Sequence, residues 1–123
     1  MIQGIGVDVV ELARIKEMIA SQGEAFVSKI FTESEIAYCR SKPSPEQHFA
    51  ARFAAKEAVS KAVQIGWSGI FRWKDVEVQN EPSGAPKILL YNKLADVLAG
   101  SSVHVSLSHS DTTVVAFAII EGK

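Results

Sequence analysis

The sequence predicts an α+β fold, with an antiparallel sheet packed on one long helix and several short helices. Two observations carry that expectation. A helical stretch from Ser44 to about Ile65 has no fully polar face, so it belongs largely inside the molecule. Stretches at 2–10, 75–79, 87–90, 103–109 and 114–120 read as strands, the last apolar throughout, with two pairs of them joined by short turns. Size agrees: 123 residues, 47% of them hydrophobic, suit one domain over residues 1–123 with a real core.

In the first strand, Gln3, Ile5, Val7 and Val9 share one face, and Gly4, Gly6 and Asp8 the other. Two glycines in a strand weaken it and mark the close approach of a backbone or a ligand. Asp8 then stands on a bare floor, either as a site carboxylate or as a cap for the next helix. Residues 11–20 form an amphipathic helix with the stripe Leu12, Ile15, Met18 and Ile19, and with Arg14 and Lys16 off it. Gly23 breaks this element, and Phe26, Ile30 and Phe31 belong to the core of a second short helix. Thr32-Glu-Ser-Glu35 is a capping box that opens a third. Pro43 and Pro45 interrupt the chain, leaving Arg40 and Lys42 at a break where a loop can reach an anion.

Ser44, Pro45 and Gln47 start the long helix, and Gly66 is its expected C-cap. Ala51, Ala54, Ala55, Ala58 and Ala62 make one side smooth and narrow. Phe49, Phe53, Glu57, Ser60 and Lys61 lie opposite, with Arg52, Lys56, Val59 and Val63 between. Charges on a buried helix must be paired or bind something. Glu57 and Lys61 stand at ordinary ion-pair spacing; alternatively Glu57 holds a hard cation and Lys61 faces a phosphate.

Trp67, Phe71 and Trp73 anchor the loop that follows. Asp75–Gln79 and Lys87–Leu90 form a hairpin with Val76 and Val78 inward, and Leu90–Ala99 reads as a short helix closed by Gly100. In 103–109, His104, Ser106 and Ser108 form a row of hydrogen-bonding groups suited to phosphate oxygens. Val114–Ile120 is apolar throughout, as if buried on both faces.

A net charge of −1 argues against a nucleic-acid binder, and one cysteine, Cys39, rules out an internal disulfide. No apolar run spans a membrane and no basic start marks a signal peptide, so a cytoplasmic protein is expected.

Ile-Gly-Val-Asp8, Arg52-Phe-Ala-Ala-Lys-Glu-Ala-x-x-Lys61 and His104-Val-Ser-Leu-Ser-His109, in that order, resemble the holo-acyl-carrier-protein synthases, the small free-standing group of 4′-phosphopantetheinyl transferases. The resemblance extends to Phe31-Thr-Glu-Ser-Glu35 and Gly84-x-Pro86 and covers nearly the whole chain. It implies Mg²⁺-dependent transfer of the phosphopantetheine arm of coenzyme A to a serine of apo acyl carrier protein, releasing adenosine 3′,5′-bisphosphate. It also implies a trimer with active sites between subunits. The family's metal carboxylates match Asp8 and Glu57, and its phosphate lysine Lys61. Arg52, Pro86, His104 and Ser106 match positions near the nucleotide end of coenzyme A, and Arg14 a position that docks the acidic carrier. The stretch Met18–Glu24 lacks the cations that many members carry there. Two general bases stay open: Glu57, directly or through water, and His109 with Asp111. Two other functions compete, an inert binder of carrier protein or coenzyme A and a metal-dependent phosphohydrolase.

Overall fold

The glycine floor and the alanine face meet. In the computed structural model, which describes residues 1–64 and 67–122, a Cβ added to Gly4 would lie 2.2 Å from the carbonyl oxygen of Ala62. One added to Gly6 would lie 2.0 Å from that of Ala58. The first strand therefore lies directly on the backbone of the long helix, and this contact sets the layer spacing of the fold.

In chain order the elements are β1 (Ile2–Glu11), α1 (Leu12–Gln22), α2 (Glu24–Ile30), α3 (Glu33–Arg40) and α4 (Pro45–Gln64). A 3-10 turn (Trp73–Asp75), β2 (Val76–Asn80), β3 (Pro86–Leu90), α5 (Asn92–Val97), β4 (Ser102–His109) and β5 (Thr113–Glu121) follow. β5 pairs antiparallel with β1 on one side and β4 on the other; β2 and β3 form a separate antiparallel hairpin. α4 packs its buried Ala54, Ala55, Ala58 and Ala62 under the three-stranded sheet, where Ala116, Ala118 and Ile120 of β5 are also fully buried.

Local signals act where expected. Gly23 ends α1 with φ of 56°, and Thr32 and Glu35 close a reciprocal capping box. Pro45 is the first residue of α4, where its missing N–H costs nothing. The expected end of that helix at Ile65 and its cap at Gly66 lie outside the described residues. Trp73 stacks on Phe53 with ring centroids 5.4 Å apart, and Phe71 meets Trp73 edge-on, so the aromatic loop is anchored.

Some expectations are corrected. β5 is buried on one face only: Val115 and Phe117 are 37% and 40% exposed. Leu90 ends β3 rather than starting a helix, because Asn92 takes a positive φ of 56° and its side-chain amide donates to Asp75 Oδ1 at 2.8 Å, breaking the path between strand and α5. Arg40 does not reach from a loop; it ends α3, paired with Glu24.

Candidate active site

Asp8 follows the two glycines on the buried side of β1, so its carboxylate projects beside α4. Lys61 crosses to it: the ammonium donates to Asp8 Oδ1 at 3.0 Å and to the carbonyl of Val7 at 3.0 Å. Asp8 does not cap the next helix, since α1 has no side-chain cap; its carboxylate is paired with Lys61 instead. The ordinary Glu57–Lys61 helical pair does not form, because β1 offers Lys61 two oxygens at once. Among the described residues, Glu57 has neither an ion-pair nor a hydrogen-bond partner.

Half-buried Glu57 holds its proton more tightly than an ordinary carboxyl. Burial is the main cause and the charge of Asp8 the second, opposed by Lys61 and Arg14. Two carboxylates from different elements thus lie near enough across the β1–α4 contact for their charges to act on each other, with the Lys61 ammonium on Asp8. Arg14, exposed on α1, is near enough for its charge to act on Glu57.

The residues expected near a nucleotide do not join this cluster within one chain. Arg52 lies about 140° around α4 from Glu57, at 100° per residue. It is buried, donates through Nη2 to Asn80 Oδ1 at 2.8 Å, and lies 4.3 Å from the centre of the Tyr38 ring. Its Nε has no partner. Asn80 pairs in register with Pro86, so Arg52 and Pro86 meet through β2. Ser34, Tyr38, Arg52 and residues 78–80 line a cavity of about 230 Å³ there. His104 and Ser106 stand on edge strand β4 and face solvent; His104 Nε2 lies 3.1 Å from Glu121 Oε1. His109 Nδ1 lies 3.0 Å from the amide of Gln47, whereas Asp111 sits in the exposed turn before β5.

Sequence reasoning missed Asn80 and Tyr38, which orient Arg52. It also left Lys56 without a partner. Lys56 and Glu35 form a fully buried ion pair at 2.7 Å. Only the presence of a lysine among the alanines of α4 hinted at it.

A family model described as "4'-phosphopantetheinyl transferase superfamily" matches residues 4–118. The chain belongs to this family. The holo-[acyl-carrier-protein] synthase of Koribacter versatilis is 44% identical over 124 residues, covering 98% of this chain and 99% of that protein. The crystal structure of holo-[acyl-carrier-protein] synthase from Neisseria meningitidis is similar at 34% identity and a TM-score of 0.88, covering 98% of this chain and 99% of its own. The Bacillus anthracis synthase, solved in complex with CoA (3′,5′-ADP), gives 35% identity and a TM-score of 0.83, over 100% of this chain and 99% of that one.

Proposed function

We propose that this chain is a holo-acyl-carrier-protein synthase, moving the 4′-phosphopantetheine of coenzyme A onto a serine of apo acyl carrier protein. The observation that carries the reading is the meeting of Asp8, Glu57 and Lys61 across the β1–α4 contact, in a chain of this family.

The donor set fits Mg²⁺. That ion takes one or two carboxylates and completes its shell with phosphate oxygens and water. Asp8 and Glu57 are such a pair: burial first, and the charge of Asp8 second, raise the proton affinity of Glu57, and a cation would offset the second of these. Bound there, the ion would supply Lewis-acid polarisation of the pyrophosphate and charge neutralisation on the leaving group. Lys61 adds a positive charge at the phosphates. The carrier serine attacks the phosphorus that bears pantetheine. A new P–O bond forms in line, the P–O bond to the bridging oxygen breaks, and adenosine 3′,5′-bisphosphate leaves. Glu57 takes the serine proton directly or through water. His109 is the less favoured candidate, since Gln47 rather than Asp111 meets its Nδ1.

Arg52, Pro86, His104 and Ser106 receive the nucleotide end, and Arg14 the acidic carrier. Because these groups are dispersed within one chain, we assign the complete site to a homotrimer. Two features support it. Ile5, Val7 and Val9 of β1 are 52%, 49% and 58% exposed, and they align across the sheet with Ile119, Phe117 and Val115. His104 and Ser106 continue those rows, opposite Ile119 and Phe117. A partner covering this apolar face would bring its own groups beside His104 and Ser106. A metabolic role in fatty-acid synthesis and a cytoplasmic location accord with this reading; among the described residues no helix is long and apolar enough to cross a membrane.

The test is intact-mass spectrometry of an apo acyl carrier protein incubated with the enzyme, coenzyme A and Mg²⁺, with a chelator control. A gain of one phosphopantetheine, lost with chelator and in Asp8→Ala and Glu57→Ala, is expected. Intact coenzyme A with no gain would favour an inert binder, and cleaved coenzyme A with no gain a phosphohydrolase. Light scattering that finds an active monomer would refute the shared site.

A further inference from the structure

The buried Lys56–Glu35 pair lies outside the phosphate cluster, and the reaction above gives it no task. Four oxygens surround the ammonium: Glu35 Oε1 at 2.7 Å and the carbonyls of Ile30, Trp73 and Val76 at 3.0, 2.9 and 2.6 Å. Glu35 is as fully engaged. Its Oε1 also accepts from the N–H of Thr32 at 2.9 Å, and its Oε2 from the N–H of Val78 at 2.9 Å. Both side chains are wholly buried.

Two of these contacts fall on one strand. β3 occupies one edge of β2, in register from Val76↔Leu90 to Asn80↔Pro86. On the other edge the carbonyl of Val76 and the N–H of Val78 are taken by Lys56 and Glu35. The ion pair thus offers β2 one donor and one acceptor, as a neighbouring strand would. Asn80 lies two residues further along that strand and accepts from Arg52, one helical turn before Lys56 on α4. The two cations of α4 therefore grip β2 at positions four residues apart, and the segment between them, with Val78, walls the cavity that Arg52 lines.

We infer that Lys56 and Glu35 are positioning residues for the nucleotide end of the site. They stand in for a missing strand on β2, and so hold Asn80 and the Arg52 guanidinium in their binding geometry. This rests on the reading that Arg52 serves coenzyme A. A purely structural ion pair differs in consequence: its loss would lower stability and leave the affinity of the folded enzyme untouched.

The experiment compares Lys56→Met, Glu35→Gln and Arg52→Ala in the full chain with a core control, Ile120→Val on β5, well below their melting temperatures. For Lys56→Met and Glu35→Gln the expected result is a KM for coenzyme A raised roughly tenfold, with kcat within about twofold of the parent. The control keeps the parent KM. Glu35→Gln preserves shape and serves if Lys56→Met does not fold. Without any ligand, amide exchange at Val78 should quicken roughly tenfold in Glu35→Gln while that of Ile120 stays unchanged. An unchanged KM with a fully protected Val78 amide overturns the inference, provided Arg52→Ala does raise KM. An Arg52→Ala enzyme with the parent KM overturns instead the assignment of Arg52 to the nucleotide, and the positioning role with it.

Discussion

Gly6→Ala tests the contact on which the site is built. Gly6 has no positive φ, so its backbone would accept alanine without strain. Space is the obstacle. The new methyl would lie 2.0 Å from the carbonyl oxygen of Ala58 and 2.9 Å from the amide nitrogen of Ala62, where ordinary contact begins at 3.4 Å. The layers must open by 3.4 − 2.0 = 1.4 Å. The obstructing atoms are helix backbone, so no side chain can swing aside, and Ala58→Gly cannot relieve the clash. Overpacking of this kind costs about 1–3 kcal/mol. With a urea slope of about 1–3 kcal/mol per molar, the unfolding midpoint should fall by roughly 1 M. Asp8 is two residues along the same strand face, whereas Glu57 and Lys61 ride on α4. A displacement of about 1 Å between reacting groups costs on the order of a hundredfold in rate. Urea unfolding and carrier-protein modification by intact mass measure the two effects separately. A Gly6→Ala enzyme with the parent midpoint and parent turnover would refute the argument that the glycines set the gap between the carboxylates.

Lys61→Ala should lower kcat by more than tenfold with a near-parent KM for the carrier protein, the pattern of an interaction made in the transition state; a defect confined to carrier affinity would contradict its place at the phosphates. Burial pushes the Cys39 thiol up to about 11, and the side chain is fully enclosed. The native protein should resist iodoacetamide at pH 8 and take one label once unfolded, as read by mass. His48 has its proton affinity lowered by burial first, then by Arg52, Lys42 and His109. Its neutral form is the one the fold accommodates, so this contribution is whole above pH 6.5 and erodes as pH falls from there toward the depressed folded value. His48→Gln should flatten the acid side of a plot of stability against pH, and an unaltered slope counts against the cationic surroundings described for it.

Short-range signals were legible in the sequence. The capping box at Thr32, the turn at Gly23 and the proline opening α4 depend on residues within one turn of each other. The glycine floor and the alanine face were legible too, as two surfaces each waiting for a backbone; only the structure joins them. Partner choice between distant elements was not legible. Spacing offered Lys61 a partner at Glu57, yet β1 supplies it with both a carboxylate and a carbonyl, and two acceptors outweigh one helical pair. Lys56 had no partner in sequence because its oxygens come from two distant stretches, 30–35 and 73–76, three of them as backbone carbonyls that no residue type advertises. β5 looked doubly buried because its outer row is as apolar as its inner one, and composition cannot say which face meets α4.

That outer row has a kinetic consequence. Ile5, Val7, Val9, Val115 and Phe117 are affordable in water one at a time but not as a continuous sheet face. If three such faces close on one another and each active site borrows from two chains, turnover belongs to the assembly rather than to the folded subunit. At protomer concentrations too low to keep the trimer filled, the amount of active species falls with the third power of free subunit. Dilution would then silence the enzyme while every chain remained folded, and mixing an inactive Asp8→Ala chain with an inactive His104→Ala chain would restore part of the output, because each supplies the half of a shared site that the other lacks.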